Sequence, residues 1–161
     1  MSTIESRLQS MGLILPAAPH VASDVRLPFE LVRVAGNRAF ISGHAPQLAD
    51  GTLAPPFGKV GSDLTVEDGY EAARLTTLAM LASLKRTLGY LNRVKAWCRI
   101  FGMVNSAPGF TMQPKVINGC SDLILELYGA ERGAHARSAV GMAELPFNIA
   151  VEIEGEVELA G

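Results

Sequence analysis

Residues 135–159 read HARSAVGMAELPFNIAVEIEGEVEL. Two extended runs meet at a Leu145-Pro146 corner. In the second run Val151, Ile153, Gly155 and Val157 share one face. Glu152, Glu154, Glu156 and Glu158 share the other, because side chains alternate along a strand. One face therefore belongs to a core beneath helices, and the opposite face carries carboxylates. The first run carries a lone arginine, Arg137. A guanidinium is a fixed cation whose planar fork matches a carboxylate, and a glutamate can orient or deprotonate a water. Arg137 and Glu152 together suit a pocket for a small organic acid. The competing reading is that both are ordinary charges, with Arg137 paired to a glutamate of the last strand.

Outward from this stretch, the rest of the chain supplies what the strands pack on. Thr65 caps a helix with Glu67 and Asp68 in its first turn, running to Leu88 and stopped by Gly89. Leu75, Leu78, Leu81, Leu84 and Leu88 give it a broad apolar face. Pro114 opens a second helix that continues to Tyr128, with Gly129 just past its end. Between the helices, Val94 to Val104 reads as a strand with Ala96, Cys98, Ile100 and Val104 on one face and Trp97, Phe101 and Met103 on the other. Phe29 to Val34 and Arg38 to Ser42 read as a hairpin around Ala35-Gly36-Asn37. Arg137 to Glu144 and Ile149 to Leu159 complete the strands. Ser2-x-x-Glu5 has the capping-box pattern and starts a short helix ending at Gly12. Residues 13–27 and 47–62 are loops. The sum is an α+β domain, one sheet covered by two main helices on one side. Its second face, partly apolar and without helices, is most economically covered by further copies of the chain.

The 161 residues allow one domain with a substantial core, 1–161, in which 1–27 is a helix and loop extension. Hydrophobic residues at 48% and charged residues at 19% describe a folded protein. A net charge of −2 and no basic run longer than Lys85-Arg86 argue against nucleic acid as the main partner. The N-terminus lacks the basic and apolar regions of a signal peptide, and no apolar run approaches the ~20 residues of a membrane span. Cys98 and Cys120 stand in apolar surroundings without metal-ligand spacing, as expected of free thiols in a reducing cytoplasm. Ser42 and Ser138 have no His and Asp partners at the spacing of a nucleophilic triad.

Val34-Ala35-Gly36-Asn37 followed by Ile41-Ser42-Gly43, the long helix from Tyr70 to Leu88, Ala136-Arg137-Ser138 with Leu145-Pro146, and Val151-Glu152-Ile153-Glu154 together resemble the YjgF/RidA family. The resemblance covers residues 28–159 and leaves the N-terminal helix outside. It implies a chorismate-mutase-like fold, a homotrimer with clefts between subunits, and cofactor-free hydrolysis of 2-imino or 2-enamino acids to 2-oxo acids and ammonia. By the motif, Arg137 would hold the substrate carboxylate and Glu152 would place the attacking water. Backbone groups near Ser42, Gly43 and Ala139 would hold the imine end, with Phe29 nearby. His44 follows the Ser-Gly strand end where family pockets open, against the alternative of a hydrogen-bonded structural histidine, and Asn118 and Phe110 are further candidates for the lining. This chain departs from the active branch at Phe29, where a tyrosine is common, and at Ala139, where a cysteine is. His44 and His135 stand where Gln and Pro are expected, and the loop NSAPGFTM (105–112) replaces a short acidic turn. A non-catalytic protein of the same fold that binds or senses a small carboxylate is the alternative. An endoribonuclease or translation inhibitor, a label the family often carries, fits the acidic composition least. If the last two strands pair directly, Glu152 faces Gly141 and Arg137 lies four residues off, so that a neighbouring copy completes the pocket unless the register differs.

Overall fold

A computed structural model describes residues 3–161. The capping box read at Ser2 reaches outside them; helix α1 (Ile4–Ser10) is instead capped by Thr3, whose side chain accepts the Ser6 N–H. A tight turn with Gly36 at φ +60° joins β1 (Val32–Ala35) to β2 (Arg38–His44). Three residues of the expected first strand, 29–31, are outside it.

Helix α2 (Val66–Leu88) has the expected ends: Thr65 and Asp68 form a reciprocal capping box, and Gly89 at φ +87° closes it. Strand β3 (Val94–Asn105) leads to α3 (Gln113–Arg132). Gly129, at φ +78°, interrupts α3 one residue after Tyr128, and a last turn follows. Strands β4 (Ala136–Met142) and β5 (Val151–Leu159) finish the chain.

The five strands form one mixed sheet in the order β1-β2-β5-β3-β4, antiparallel except for β3 with β4. A parallel pair needs a crossover, and α3 is that crossover. Direct pairing of the last two strands, the condition considered from sequence, does not occur. β3 lies between them, since β4 leaves the corner from the far edge.

Helices α2 and α3 cover one face. Their Leu78, Leu81, Leu84, Ile117, Leu123 and Ile124 bury against Ile41 of β2, Ile100 and Val104 of β3, and Val151, Ile153 and Val157 of β5. The alternation read in the last strand holds. That of β3 does not: Trp97 is 1% exposed and belongs to the core with Ile100, its ring edge-on to Tyr128 at 5.8 Å. Register shifts between Val94 and Ala96 and between Trp97 and Arg99 insert bulges that change which side chains point inward. Ala96 and Cys98 are left half-buried. Cys120, in α3, is fully buried, which pushes its thiol up to about 12. On the uncovered face, Phe40, Arg99, Phe101, Glu154 and Glu156 line a shallow hollow of about 400 Å³.

Candidate functional site

Glu152 owes its surroundings to an irregularity in β2. The register with β5 shifts between Ile41 and His44, so an extra residue is accommodated and Gly43 is set against the glutamate. A Cβ on Gly43 would stand 2.6 Å from Glu152 Oε2. Only a glycine leaves the carboxylate its place.

The bulge is held on both sides. The Ser42 N–H donates to Leu31 O at 2.9 Å, and its hydroxyl donates to Glu30 O at 2.7 Å. His44 turns inward: Nδ1–H donates to Ser42 O at 2.6 Å, which leaves Nε2 to accept from Ser83 Oγ at 2.8 Å. Arg86 in turn donates to Ser83 Oγ at 2.9 Å. Burial, and secondarily Arg86, lowers the His44 pKa, so the imidazole is neutral with both nitrogens committed. His44 thus orders the bulge rather than offering a free nitrogen.

Glu152 is half-buried, and burial, then the charge of Glu154, raises its pKa above the ordinary carboxylate range. It stands in the wall of a cavity of about 410 Å³ together with Phe29, Gly43 and His44. Four residues singled out from sequence therefore meet in one hollow. The sequence reading missed others. Gln47 is 6% exposed, donates to Gly51 O at 3.2 Å and keeps a buried Oε1 without a protein donor. Phe147 is 81% exposed. Phe147 and Asn148 hold φ of +56° and +57°, a backbone region that a bulky residue rarely occupies. Asn105, buried, donates to Asn148 Oδ1 at 3.0 Å and to Gly58 O at 3.1 Å, locking the corner that presents Phe147. Leu145-Pro146 marks the corner in the sequence, but no residue type marks the positive φ that presents Phe147.

Arg137 lies elsewhere. It pairs with Ile100 of β3, a core-facing residue, and so points to the helix-covered side at the sheet's edge. There its Nη1 donates to Asn118 Oδ1 at 2.8 Å and Ser121 Oγ at 3.1 Å, and Nη2 to Pro114 O at 3.5 Å. All three acceptors are neutral. Among the described residues the ion pairs are Arg38–Glu156, Lys59–Glu144, Arg74–Glu126 and Lys95–Glu158, so no carboxylate neutralises Arg137. Ser121 also donates to His135 Nε2 at 2.9 Å, while Nδ1–H of His135 donates to Gly133 O at 2.7 Å. Burial, with Arg137 nearby, lowers the His135 pKa. Ala139 shares the register of core-facing Gly102 and packs against the same side.

Two half-sites result. Asn118, Arg137 and Ala139 gather where α3 meets β4, and Phe29, Gly43, His44 and Glu152 gather at the cavity, with Ser42 beside it. Glu152 pairs with Met103, whose neighbour in β4 is Val140, on the uncovered face. Arg137 and Glu152 therefore point from opposite faces of one sheet, with β3 between their strands. Ser121 was legible in principle, because it lies three residues after Asn118 on the same helix. Among the described residues no three His, Cys, Asp or Glu side chains group as a metal site, and no helix is long and apolar enough to cross a membrane.

Residues 5–154 match the family model described as "YjgF/chorismate mutase-like, putative endoribonuclease". The match begins inside α1, so the N-terminal segment falls within it rather than outside, as the sequence reading had it. Protein TCP17 of Trypanosoma cruzi is 40% identical over 156 residues, covering 97% of this chain and 94% of that protein. The crystal structure of protein Atu1372 from Agrobacterium tumefaciens, of unknown function, is 38% identical with a TM-score of 0.85, covering 98% of this chain and 92% of that one. A Shewanella oneidensis structure bearing the endoribonuclease description is 35% identical with a TM-score of 0.87, over 98% and 99% of the two chains.

Proposed function

Because the chain belongs to the YjgF/chorismate mutase-like family, we propose that it is a cofactor-free hydrolase of 2-imino and 2-enamino acids. The observation that carries this reading is Arg137: a guanidinium fixed by three neutral acceptors with its charge uncompensated by any described carboxylate. Such a group is prepared for an outside anion, and its fork suits a carboxylate. The opposite facing of Arg137 and Glu152 supports a site completed by a second copy, as in a homotrimer with clefts between subunits.

In this reading Arg137 of one copy holds the substrate carboxylate, which fixes the imine carbon in front of Glu152 of the next. Glu152 takes a proton from a water as its oxygen attacks C2 and returns it to the nitrogen; as the carbon–nitrogen bond then breaks, the new hydroxyl becomes the carbonyl and its proton passes, again through Glu152, to the departing ammonia. An iminium acid and water thus become a 2-oxo acid and ammonium. A raised carboxylate pKa makes Glu152 a stronger base than a free carboxylate. Orientation of bound substrate supplies the remainder.

The test generates 2-iminobutyrate in situ and follows 2-oxobutyrate and ammonia. Acceleration over buffer, abolished in Arg137→Ala and Glu152→Gln, is expected. No acceleration, or full activity in Arg137→Ala, refutes it. Phe29 and Ala139, in place of a phenol and a thiol, favour a second reading, a carboxylate-binding protein without turnover. It would give ligand-dependent thermal stabilisation lost in Arg137→Ala while the imine decays at the buffer rate. The endoribonuclease reading predicts RNA cleavage by this acidic chain that disappears in Arg137→Ala.

A further inference from the structure

The cavity over Glu152 is unlike a site for a small acid alone. Its walls are mostly apolar, Pro19, Val21, Leu27, Phe29, Leu31 and Phe147 among them, with His20, His44 and Gln47 as polar groups beside Glu152, and no Lys or Arg lines it. Glu152 is the one acidic group there. At about 410 Å³ it lies within the ~300–1,000 Å³ of small-molecule pockets, far more than a methyl or ethyl group fills.

One wall comes from a segment without helix or strand, residues 13–29, held in place by specific contacts. The Ala17 N–H donates to Ala49 O at 2.9 Å and the His20 N–H to Gly51 O at 3.4 Å. Arg86, the same residue that bonds Ser83 behind His44, donates to Pro16 O at 3.3 Å. The approach is close enough that a Cβ on Gly51 would stand 2.3 Å from Ala18 O. So docked, the segment leaves Val21, Leu27 and Phe29 exposed in the lining of the cavity that also holds the exposed Phe147. Apolar groups ordered around a half-buried carboxylate form a receptor for an apolar body whose nitrogen end reaches the acid.

We propose that residues 19–29 and Phe147 form a side-chain subsite, so that the preferred ligands are 2-imino acids, and their 2-oxo products, with branched aliphatic or aromatic side chains. This rests on the cavity being the substrate site, and the carboxylate end still goes to Arg137. The experiment measures binding of pyruvate, 2-oxobutyrate, 4-methyl-2-oxopentanoate and phenylpyruvate to the full chain by calorimetry. In parallel it measures hydrolysis of the imines made in situ from alanine, leucine and phenylalanine.

Affinity rising by ~10-fold or more from pyruvate to 4-methyl-2-oxopentanoate is expected, the discrimination an apolar pocket gives for added methylenes. The contrast should shrink in Leu27→Asp and in Phe147→Asp, whose side chains are exposed, so melting temperatures serve as the check that folding is intact. Equal or weaker binding of the larger acids, or a contrast that survives both replacements, overturns the proposal. Size-graded binding without turnover keeps the subsite and refutes the hydrolase. Turnover without size grading refutes the subsite alone, and no binding of any acid refutes both.

Discussion

Gly43 and Glu152 are a pair in which the smaller residue sets the chemistry of the larger. The backbone of Gly43 does not adopt the left-handed region, so alanine there meets only a contact problem: its Cβ would overlap Glu152 Oε2 at 2.6 Å. The far end of a glutamate is flexible and will yield. Gly43→Ala should therefore leave the melting temperature nearly unchanged while displacing the carboxylate, with turnover falling by roughly a hundredfold, the cost of a misplacement near 1 Å. Unchanged kcat/KM would separate Glu152 from the chemistry. Glu152 also has a stability signature whose sign follows from its raised pKa. Well below the ordinary carboxylate pKa the group is protonated folded and unfolded alike. As pH rises from that value through the higher folded one, the unfolded chain releases the proton more readily and stability falls. Glu152→Gln, which cannot ionise, escapes this loss. Its melting temperature should match the parent at acid pH and exceed it increasingly toward neutrality. A constant difference across that range would contradict the half-buried environment.

At the scale of elements, the parts of the fold written in local patterns were legible and those set by long-range pairing were not. Thr65, Asp68 and Gly89 mark the ends of α2 because caps satisfy backbone groups within one turn. The four glutamates of β5 mark its outer face because alternation is intrinsic to a strand. Plain alternation puts Trp97 opposite Ile100, whereas it lies with Ile100 in the core, because bulges are set by what the partner strand requires and leave no trace in composition. Strand order was not legible for a related reason: proximity along the chain would pair β4 with β5, whereas the α3 crossover puts β4 beside β3. For the site, Arg137 and Glu152 stood out by residue type, but their opposite facing depends on that order. The joint between helices was equally hidden. Gly119 of α3 lies so near α2 that a Cβ would be 2.0 Å from the Tyr70 carbonyl oxygen, a backbone atom that cannot swing away. Gly119→Ala should therefore destabilise by about 3 kcal/mol, the upper range for overpacking. Urea denaturation would show this as a lower midpoint with an unchanged slope. A midpoint within error of the parent would mean that the helices are not in tight contact.

For the whole molecule the decisive fact is that the two charges of the proposed chemistry issue from opposite sides of one sheet. A chain acting alone would have to carry a small substrate around the edge strand between two half-sites. Copies in contact could instead set the Arg137 side of one against the Glu152 side of the next. The uncovered face, with Phe40 and Phe101 beside Arg99, Glu154 and Glu156, offers a surface on which such copies can meet. This has a consequence that no single-chain site shares. Arg137→Ala and Glu152→Gln should each be inactive as pure proteins, yet mixing them through unfolding and joint refolding should restore activity. In a mixed oligomer a site works when its arginine comes from the Glu152→Gln chain and its glutamate from the Arg137→Ala chain. Random assortment of equal amounts makes that about one site in four for interfaces of closed symmetry. Recovery of about a quarter of the parental rate, rising from zero and peaking at equal proportions, is the expected result. A mixture as inactive as its components, although mass measurement finds both chains in one particle, would mean that each copy builds its site from its own residues.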